Sequence, residues 1–374
     1  MVEKIRLLEE YFTLHSLTEN LEDTILQETG IDIGSRYGKS LLKNPVIVAP
    51  GQLTRFAGQV AEIRKAGYSG CVLKSVVGEN ERDNCSMSSF RKPASYIKSV
   101  YDPSDTESLY PIIHWDGKLD TRDLQAYMEF AREVQKYSKS GDFILIASLL
   151  CHLPSPDEDF KKEEWTNTVK RLYDAGYREF EIDFCPQLSK ESGLIEKKNI
   201  LRWYGTIPSY VKPVSPGITV FAKVMNLDFG MDFQVEMSRA ALEGGAEGVV
   251  IGNRIFKKEL GCAHGGNELK ERNLVQIREI KKLFPDAHVS GTGGIYSGKD
   301  ILDYLLAGAE NVQILSFLMG KTRMEFKKKG TKFEQVLHRL IFNTEDGLIA
   351  SMIKSGTINL HFPCISAEKP PPRS

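Results

Sequence analysis

Short apolar segments alternate with amphipathic segments along most of the 374 residues, and this alternation limits the possible folds more than any other feature. Continuous apolar runs are typical of strands buried on both faces of a parallel sheet, and amphipathic segments that end at glycine are typical of the helices covering it. Eight apolar runs, mostly bounded by Gly, Pro or Asn, occur at 45–49, 71–74, 143–148, 179–184, 219–223, 248–251, 288–291 and 312–316. Helical patterns lie between most of them, at 57–66, 164–175, 232–244, 269–283 and 299–307. Eight strand–helix units predict an α/β fold, a closed (β/α)8 barrel, and the structural alternative is a doubly wound open sheet.

The remaining segments are interpreted as additions to a barrel at 31–325. Residues 1–30 predict one or two amphipathic helices that end at Gly30 and cap the barrel. A membrane-surface helix is the less favoured alternative because the polar face is acidic. Residues 76–142 form an excursion after the second strand, and therefore over the barrel mouth. Residues 326–374 predict a C-terminal helix followed by a disordered tail that ends in EKPPPRS.

Charge and cysteine content argue against several classes of protein. Acidic and basic residues are mixed along the chain and the formal net charge is −1, so we expect no nucleic-acid partner. The six cysteines contain no C-x-x-C pair, so we expect no metal site and no disulfide scaffold, in a reducing, cytoplasmic setting. The N-terminal residues lack the apolar region of a signal peptide, and no apolar window is long enough to span a membrane.

The strongest local signal is the segment VSGTGGIYSGKDILDYLLAGAENVQILS. A predicted strand ends at Gly293-Gly294, a helix follows, and the next strand ends at Ser316. Glycine lets backbone N–H groups approach an anion closely, and the N-terminus of the following helix adds its dipole. Because the loops after strands seven and eight of barrels commonly bind phosphate, we predict a phosphate site here. The alternative is an ordinary turn that requires glycine for tight packing.

Taken together, these motifs resemble the dihydroorotate dehydrogenase family. NPVIVAPG, CVLKSV, EIDFCPQ, VFAKV, GVVIGNR and VSGTGGIYSGKDILDYLLAGAENVQI occur in the order seen in that family. The resemblance spans the predicted barrel, is strongest in its last third, and is weak in the excursion and the tail. It implies a TIM barrel that binds flavin mononucleotide (FMN) and transfers hydride to or from a CH–CH bond.

The resemblance also implies cofactor contacts, residue by residue. The backbone at Ala49 and Gly51 would lie under the flavin. Lys74 would reach the flavin and a substrate carboxylate, and the Ser75 hydroxyl would touch the flavin. Lys223 would sit near flavin N1 and O2, where a fixed cation stabilises the charge that develops on reduction. The other implied contacts are Asn253, Gly266, Gly293, Gly294 and Ser316, and Gly265-Gly266 is followed by a third mouth lysine, Lys270.

Cys185 is the candidate catalytic acid/base. Cys185-Pro186-Gln187 resembles the family's S-C-P-N, in which the cysteine of one class takes a proton from a substrate carbon while hydride passes to flavin N5. A free thiol titrates at about 8.5, not far from cellular pH, which suits this role. The alternative is a buried structural cysteine. Because the segment starting at Asp183 is one residue shorter than the family's N-x-S-C-P-N, we expect its loop to bend differently.

The implied substrate-binding residues depart from the family. Asp183, Gln187 and His114 stand where the family places asparagines, and only Asn253 is unchanged. An ionised aspartate accepts hydrogen bonds without donating them, and it repels an anionic ligand in a dry pocket. We therefore expect an anionic substrate to bind weakly unless Lys74 and a protonated His114 offset Asp183.

The expected function is an FMN-dependent oxidoreductase of dihydroorotate dehydrogenase type that acts on a small-molecule substrate. Conversion of dihydroorotate to orotate, in pyrimidine biosynthesis, is one candidate reaction. The alternatives are a flavoprotein reductase for another ring or carboxylate, and a barrel that binds flavin or phosphate without catalysis. The resemblance to the cysteine class implies a homodimer. The sequence leaves the electron acceptor open.

Overall fold

The computed structural model describes residues 2–18, 20–91, 96–100, 111–116, 119–138, 141–184, 196–257, 262–321 and 325–357. Its strands are β1 Ser35–Tyr37, β2 Ser40–Leu42, β3 Val46–Val48, β4 Gly70–Val72, β5 Val76–Val77, β6 Tyr96–Val100, β7 Ile112–Asp116, β8 Ile144–Leu150, β9 Glu179–Asp183, β10 Thr219–Asn226, β11 Gly248–Lys257, β12 Cys262–Gly265, β13 His288–Thr292 and β14 Asn311–Ile314. Its helices are α1 Val2–Leu14, α2 Leu21–Thr29, α3 Ala57–Lys65, α4 Leu124–Gln135, α5 Lys162–Asp174, α6 Lys197–Val211, α7 Met231–Glu243, α8 Leu269–Leu283, α9 Gly298–Ala307, α10 Ser316–Met319, α11 Lys332–Phe342 and α12 Leu348–Ser355.

Eight of the strands form a closed parallel barrel. They pair in the order β3, β4, β8, β9, β10, β11, β13 and β14, and β14 pairs with β3. Closure leaves no exposed edge in this part of the sheet, and each of the eight predicted apolar runs overlaps one barrel strand. The predicted (β/α)8 barrel is confirmed, and the doubly wound open sheet is wrong.

The sequence patterns did not predict helix α6. It contains Gly205 and Pro208, which are both weak helix formers. Tertiary packing stabilises it instead: Trp203 Nε1 donates to the carbonyl oxygen of Pro154 at 2.8 Å, and the Tyr204 hydroxyl donates to that of Lys223 at 3.2 Å. Both rings are buried, so contacts that are distant in sequence outweigh the local propensity.

The interior of the barrel holds its own small apolar core. Tyr37 and Leu42, from the β1–β2 hairpin, pack with side chains of the barrel strands, among them Ile47 and Phe221. The Tyr37 and Phe221 rings stack with centroids 4.1 Å apart. The sequence analysis did not identify this hairpin. It follows the N-terminal helices and inserts a tyrosine among the barrel strands.

The excursion after the second strand joins the sheet at the opposite side of the mouth. Its strands β6 and β7 form an antiparallel hairpin, β7 pairs with β12, and β12 pairs with the end of β11. Strand β11 therefore continues beyond the barrel into a four-stranded antiparallel extension. This register brings Ile113 beside Gly265 at the carboxyl end of the barrel, where the predicted site lies.

The two ends of the chain pack together. The Phe12 ring of α1 stacks on the Phe342 ring of α11 at 5.0 Å, and His338 contacts the carbonyl oxygen of Glu9. The segment after 325 contains two helices, α11 and α12, where the sequence predicted one, and the predicted tail from residue 358 lies outside the described residues. Within the described residues, no helix is both long and apolar enough to cross a membrane.

Candidate functional site

A cavity opens among the loops that follow the barrel strands, at the end of the barrel where TIM-barrel sites form. It is bounded by the ends of β3, β10, β11, β13 and β14 and by Ile113 of the excursion. The lining residues are Ala49, Pro50, Ile113, Lys223, Gly252, Asn253, Arg254, Gly265, Leu269, Thr292, Gly293, Gly294, Ile295, Gln313, Ile314, Leu315 and Ser316.

Six residues predicted from five separate strand ends meet in this cavity. They are Ala49, Lys223, Asn253, Gly293, Gly294 and Ser316. In the sequence these residues span more than two thirds of the chain, and barrel closure alone brings them together. The other predicted residues that the structure describes lie beside the cavity or away from it. They are Gly51, Lys74, Ser75, His114, Asp183 and Gly266.

Lys223 is the buried cation of the cavity. The residue is 5% exposed and lines the cavity. Burial lowers the pKa of Lys223, and the nearby carboxylates of Glu181 and Asp183 oppose that shift. Asp183 lies in register with Lys223 on the neighbouring strand. An ammonium group held in this way is suited to meeting a negative charge on a ligand.

Glu181 lies next to Lys223 and is fully buried. One of its oxygens accepts hydrogen bonds from the Tyr37 hydroxyl, at 3.0 Å, and from the side-chain amide of Gln313. Burial raises the pKa of Glu181, while Lys223 and these two donors oppose the shift. Gln313 lines the cavity, and its side-chain carbonyl oxygen, Oε1, is buried without a hydrogen bond in the described parts of the chain.

The glycine pair has two roles in this fold. Gly293 and Gly294 line the cavity with φ values of 95° and 66°, a region of backbone space that disfavours other residues. A Cβ at Gly294 would come within 2.9 Å of Lys270 Cβ and 3.1 Å of the Asn267 carbonyl oxygen. Glycine is therefore required here for tight packing, and the same two residues also line the cavity.

Side chains bind several backbone N–H groups at the start of α9. Asp300 Oδ2 accepts from the backbone N–H groups of Tyr296 and Ser297, both at 2.9 Å. The Ser297 hydroxyl in turn accepts from the Asp300 N–H, completing a capping box. The 293–295 loop and Ser316, which begins α10, line the cavity and offer further donors to a phosphate. The predicted contribution of the α9 dipole stays a prediction.

Lys270 is directed toward helix α9. Its ammonium group pairs with Asp300 at 2.5 Å and with Asp303 at 2.7 Å, and Lys270 is not among the residues that line the cavity. Two carboxylates of the next helix therefore bind this ammonium group, and its role as a third mouth lysine stays a prediction. Arg254 lines the cavity as a cation that the sequence analysis did not single out, although it directly follows Asn253.

Leu315 fills space that Gly51 leaves open. A Cβ at Gly51 would come within 2.5 Å of Leu315 Cδ2. The absence of a side chain at Gly51 therefore accommodates the Leu315 side chain. This contact ties the loop after β3 to the loop after β14.

A second polar group lies beside the cavity. The Ser75 hydroxyl donates to Asp183 Oδ2 at 2.8 Å and lies 2.8 Å from the Ser148 hydroxyl. The Asn253 side-chain amide, which belongs to the cavity wall, donates to Asp183 Oδ1 at 3.4 Å. Lys74 is buried just before Ser75, and its carbonyl oxygen accepts from the Tyr127 hydroxyl at 3.0 Å.

His114 is described by the structure and is not among the residues that line the cavity. His114 lies on β7 with its ring 5.3 Å from that of His264, and it alternates along the strand with the cavity-lining Ile113. Cys185 and Gln187 lie outside the described residues. The roles assigned to all three residues stay predictions.

A buried amide network holds the cavity wall in place. Asn226 Nδ2 donates to the Asn253 carbonyl oxygen at 2.5 Å, and Asn273 Nδ2 donates to that of Thr292 at 2.7 Å. Asn226 also donates to Asn273 at 3.2 Å. The sequence analysis missed these asparagines, although a polar side chain on the inner face of an apolar helix or strand is a signal of such a network.

The residues present fit a phosphate-bearing flavin. Lys223 and the Gln313 carbonyl oxygen offer a cation and a hydrogen-bond acceptor to a ring that carries both carbonyl and N–H groups. The glycine loop and Ser316 offer backbone and hydroxyl donors to a phosphate. These residues would hold the two ends of FMN.

The fold and the site together define a (β/α)8 barrel with a polar, lysine-containing ligand cavity at the carboxyl end of its strands. Residues 181–337 match the family model described as dihydroorotate dehydrogenase. The chain is thus related to the dihydroorotate dehydrogenases, which confirms the resemblance that its motifs predicted.

Individual relatives show how far the similarity extends. The chain is 27% identical over 186 residues to the dihydroorotate dehydrogenase B (NAD(+)) catalytic subunit of Thermotoga petrophila, which covers 44% of this chain and 66% of that protein. It is 26% identical over 298 residues to the protein of the same name from Methanocaldococcus jannaschii, covering 76% and 87%. It is also 23% identical over 247 residues to the chloroplastic dihydropyrimidine dehydrogenase (NADP(+)) of Arabidopsis thaliana, covering 56% and 52%.

Proposed function

We propose that this chain is an FMN-dependent oxidoreductase of dihydroorotate dehydrogenase type that acts on a CH–CH bond. The observation that carries the proposal is the meeting of Lys223, Asn253, the Gly293-Gly294 loop and Ser316 in one cavity. When bound, FMN supplies hydride-transfer chemistry at N5. The family match and the relatives support the same class of reaction.

In this proposal the residues of the chain divide the work. Ser316 and the glycine loop bind the phosphate, and Lys223 provides a fixed positive charge near flavin N1. Lys74, Asp183 and the predicted Gln187 and His114 form the substrate side, and Cys185 exchanges a proton with the substrate carbon. Free thiols at Cys71, Cys85, Cys151 and Cys262 agree with the cytoplasmic setting that we propose.

The first experiment tests cofactor and substrate together. The purified protein should be yellow, or should become so on incubation with FMN, and dihydroorotate should bleach the flavin under anaerobic conditions. Bleaching would support dihydroorotate oxidation, a reaction of pyrimidine biosynthesis. A protein that binds no FMN under any of these conditions would contradict the proposal.

A second candidate is a related flavoprotein that acts on a different ring or carboxylate. The observation that favours it is Asp183, whose carboxylate accepts from Ser75 and Asn253 where the resembling family has an amide. An anionic orotate would meet like charge at this position. A yellow protein that is bleached by a neutral dihydropyrimidine, and not by dihydroorotate, would favour this candidate.

A further inference from the structure

Three side chains inside the barrel form a charged group directly beside the flavin cavity. Glu181 and Asp183 are two residues apart on β9 and therefore face the same side of that strand. Lys223 lies across from Asp183 on β10 and lines the cavity. Two carboxylates thus flank one ammonium group, and all three side chains are buried.

Glu181 is held in place from two directions. The Tyr37 hydroxyl reaches it from the β1–β2 hairpin at 3.0 Å, and the amide of Gln313 reaches it from β14. Both donors bind the same oxygen. The second oxygen, Oε2, makes no hydrogen bond within the described residues. A carboxylate buried in this way costs free energy unless a nearby cation offsets its charge.

Lys223 has the complementary requirement. Among the described titratable groups, its charge is affected by Glu181 and Asp183 from β9 and by Arg254 from β11. The two carboxylates favour the ammonium form of Lys223, and Arg254 and burial oppose it. Removing either carboxylate would therefore favour the neutral amine of Lys223.

We propose that Glu181 is a positioning residue, which keeps Lys223 in its ammonium form at the flavin cavity. This inference rests on the proposed function, because the charge that Lys223 meets is the one that develops on FMN. Glu181 does not line the cavity itself.

The test uses sulfite, which adds through its sulfur lone pair to flavin N5 and leaves negative charge on N1 and O2. The bleaching of the flavin by sulfite therefore reports the positive charge beside N1 without requiring turnover. Sulfite affinity is measured against pH in the FMN-loaded native protein and in Glu181→Gln. Gln keeps the oxygen that accepts from Tyr37 and Gln313, and its NH2 group takes the position of the oxygen without a hydrogen bond, so the variant should fold.

As pH rises, the sulfite affinity of Glu181→Gln should begin to fall about one pH unit or more below the pH at which that of the native protein falls. Without its counter-charge, Lys223 loses its proton at lower pH. Glu181→Asp, which keeps the charge but moves it, should give an intermediate profile. Glu179→Gln is the matched control, since Glu179 lies on the same strand and face but bonds Ser40, and it should match the native profile.

Because sulfite itself titrates near neutral pH, every profile is expressed per sulfite dianion, and on that scale Lys223→Met should remove the pH-dependent step. A profile of Glu181→Gln that coincides with the native one would overturn the proposal, and so would an equal shift in Glu179→Gln or a step that persists in Lys223→Met. If the native protein binds no FMN, the proposed function and this inference are both overturned. That result is obtained before any variant is compared.

Discussion

Asp183 ends strand β9 with its carboxylate fixed by two donors, the Ser75 hydroxyl and the Asn253 amide. It is 8% exposed and is hydrogen-bonded to a residue of the cavity wall. In the proposed function this carboxylate lies on the substrate side. A ligand that brings N–H donors to this position would bind more favourably than one that brings a carboxylate.

The pair of changes Asp183→Asn and Gln187→Asn should improve the binding of dihydroorotate. An amide donor replaces a repulsive charge, and a gain of at least about tenfold corresponds to about 1.4 kcal/mol. The measurement is the dihydroorotate concentration that half-bleaches the flavin anaerobically, from about pH 5.5 to 8.5.

Glu179→Gln serves as the control because it also removes one carboxylate from β9. Native Glu179 accepts a hydrogen bond from Ser40 rather than from Ser75 or Asn253. The control variant should leave this concentration unchanged. Rapid bleaching of the native protein at every pH would show that Asp183 does not exclude dihydroorotate. The plain dihydroorotate dehydrogenase assignment would then be correct.

At the scale of elements, the loop between β14 and α10 completes the predicted phosphate site. Ser316 begins α10 at the cavity wall, and the neighbouring Leu315 packs against Gly51. A substitution of Gly294 would test folding as much as binding, because its missing Cβ faces the backbone at Asn267. Ser316 is the better position for a test, because it begins a helix and does not lie in a turn that requires glycine.

Ser316→Asp should fold and lose FMN. An acidic residue at the first position of a helix is compatible with the helix dipole, whereas a carboxylate beside a phosphate repels it. We expect FMN affinity to fall by at least about 100-fold, about 2.7 kcal/mol, with a much smaller effect on riboflavin, which lacks the phosphate. The affinities are measured by flavin fluorescence quenching.

The matched control is Ser209→Asp, the same substitution at an exposed position of α6. It should bind FMN like the native protein. Equal weakening of FMN and riboflavin by Ser316→Asp would place the phosphate elsewhere in the cavity.

At the scale of the whole molecule, the two ends of the chain stabilise each other. His338 of α11 is buried, and its Nε2–H donates to the carbonyl oxygen of Glu9 in α1 at 3.0 Å. Burial lowers the pKa of His338 to about 4, and the nearby Lys328 and Lys327 add to that shift, while the bond to Glu9 opposes it. The folded protein therefore holds this imidazole in its neutral form over a pH range in which an unfolded chain would protonate it.

His338 makes the free energy of unfolding decrease as pH falls. The unfolded state binds a proton below about pH 6.5 and the folded state only below about pH 4, so the stabilisation is lost as pH falls through this window. At about 1.4 kcal/mol per unit, the loss is up to about 3 kcal/mol. His338→Gln is neutral at every pH and keeps a donor for Glu9, so it should lose less stability between about pH 7 and 4.5.

The measurement is the free energy of unfolding in denaturant at both ends of this window. His15→Gln is the control, since His15 is exposed on the same terminal pair of helices, and it should retain the native pH dependence. An unfolding free energy of His338→Gln that falls with pH as steeply as that of the native protein would exclude this histidine as the cause.

The strand–helix alternation was sufficient to predict the closed barrel, the glycine motif predicted the 293–294 loop, and the family resemblance implied the other predicted residues of the cavity. Local composition sets these features: continuous apolar runs must be buried on both faces, and a turn with positive φ requires glycine at Gly293 and Gly294. Helix α6 was not predicted because Gly205 and Pro208 have low helix propensity. Packing against residues distant in sequence stabilises it instead.

Only the tertiary structure determined which groups each charged side chain lies beside. Lys270 and Lys223 both follow family-like motifs, yet two aspartates of α9 bind the first, and the second remains at the cavity beside Glu181. These pairings join residues up to 42 positions apart, across elements whose spacing depends on barrel closure. Sequence determines which groups are present, and only the closed barrel determines which of them lie close enough for a charge to be neutralised, because electrostatic interaction depends on distance and burial.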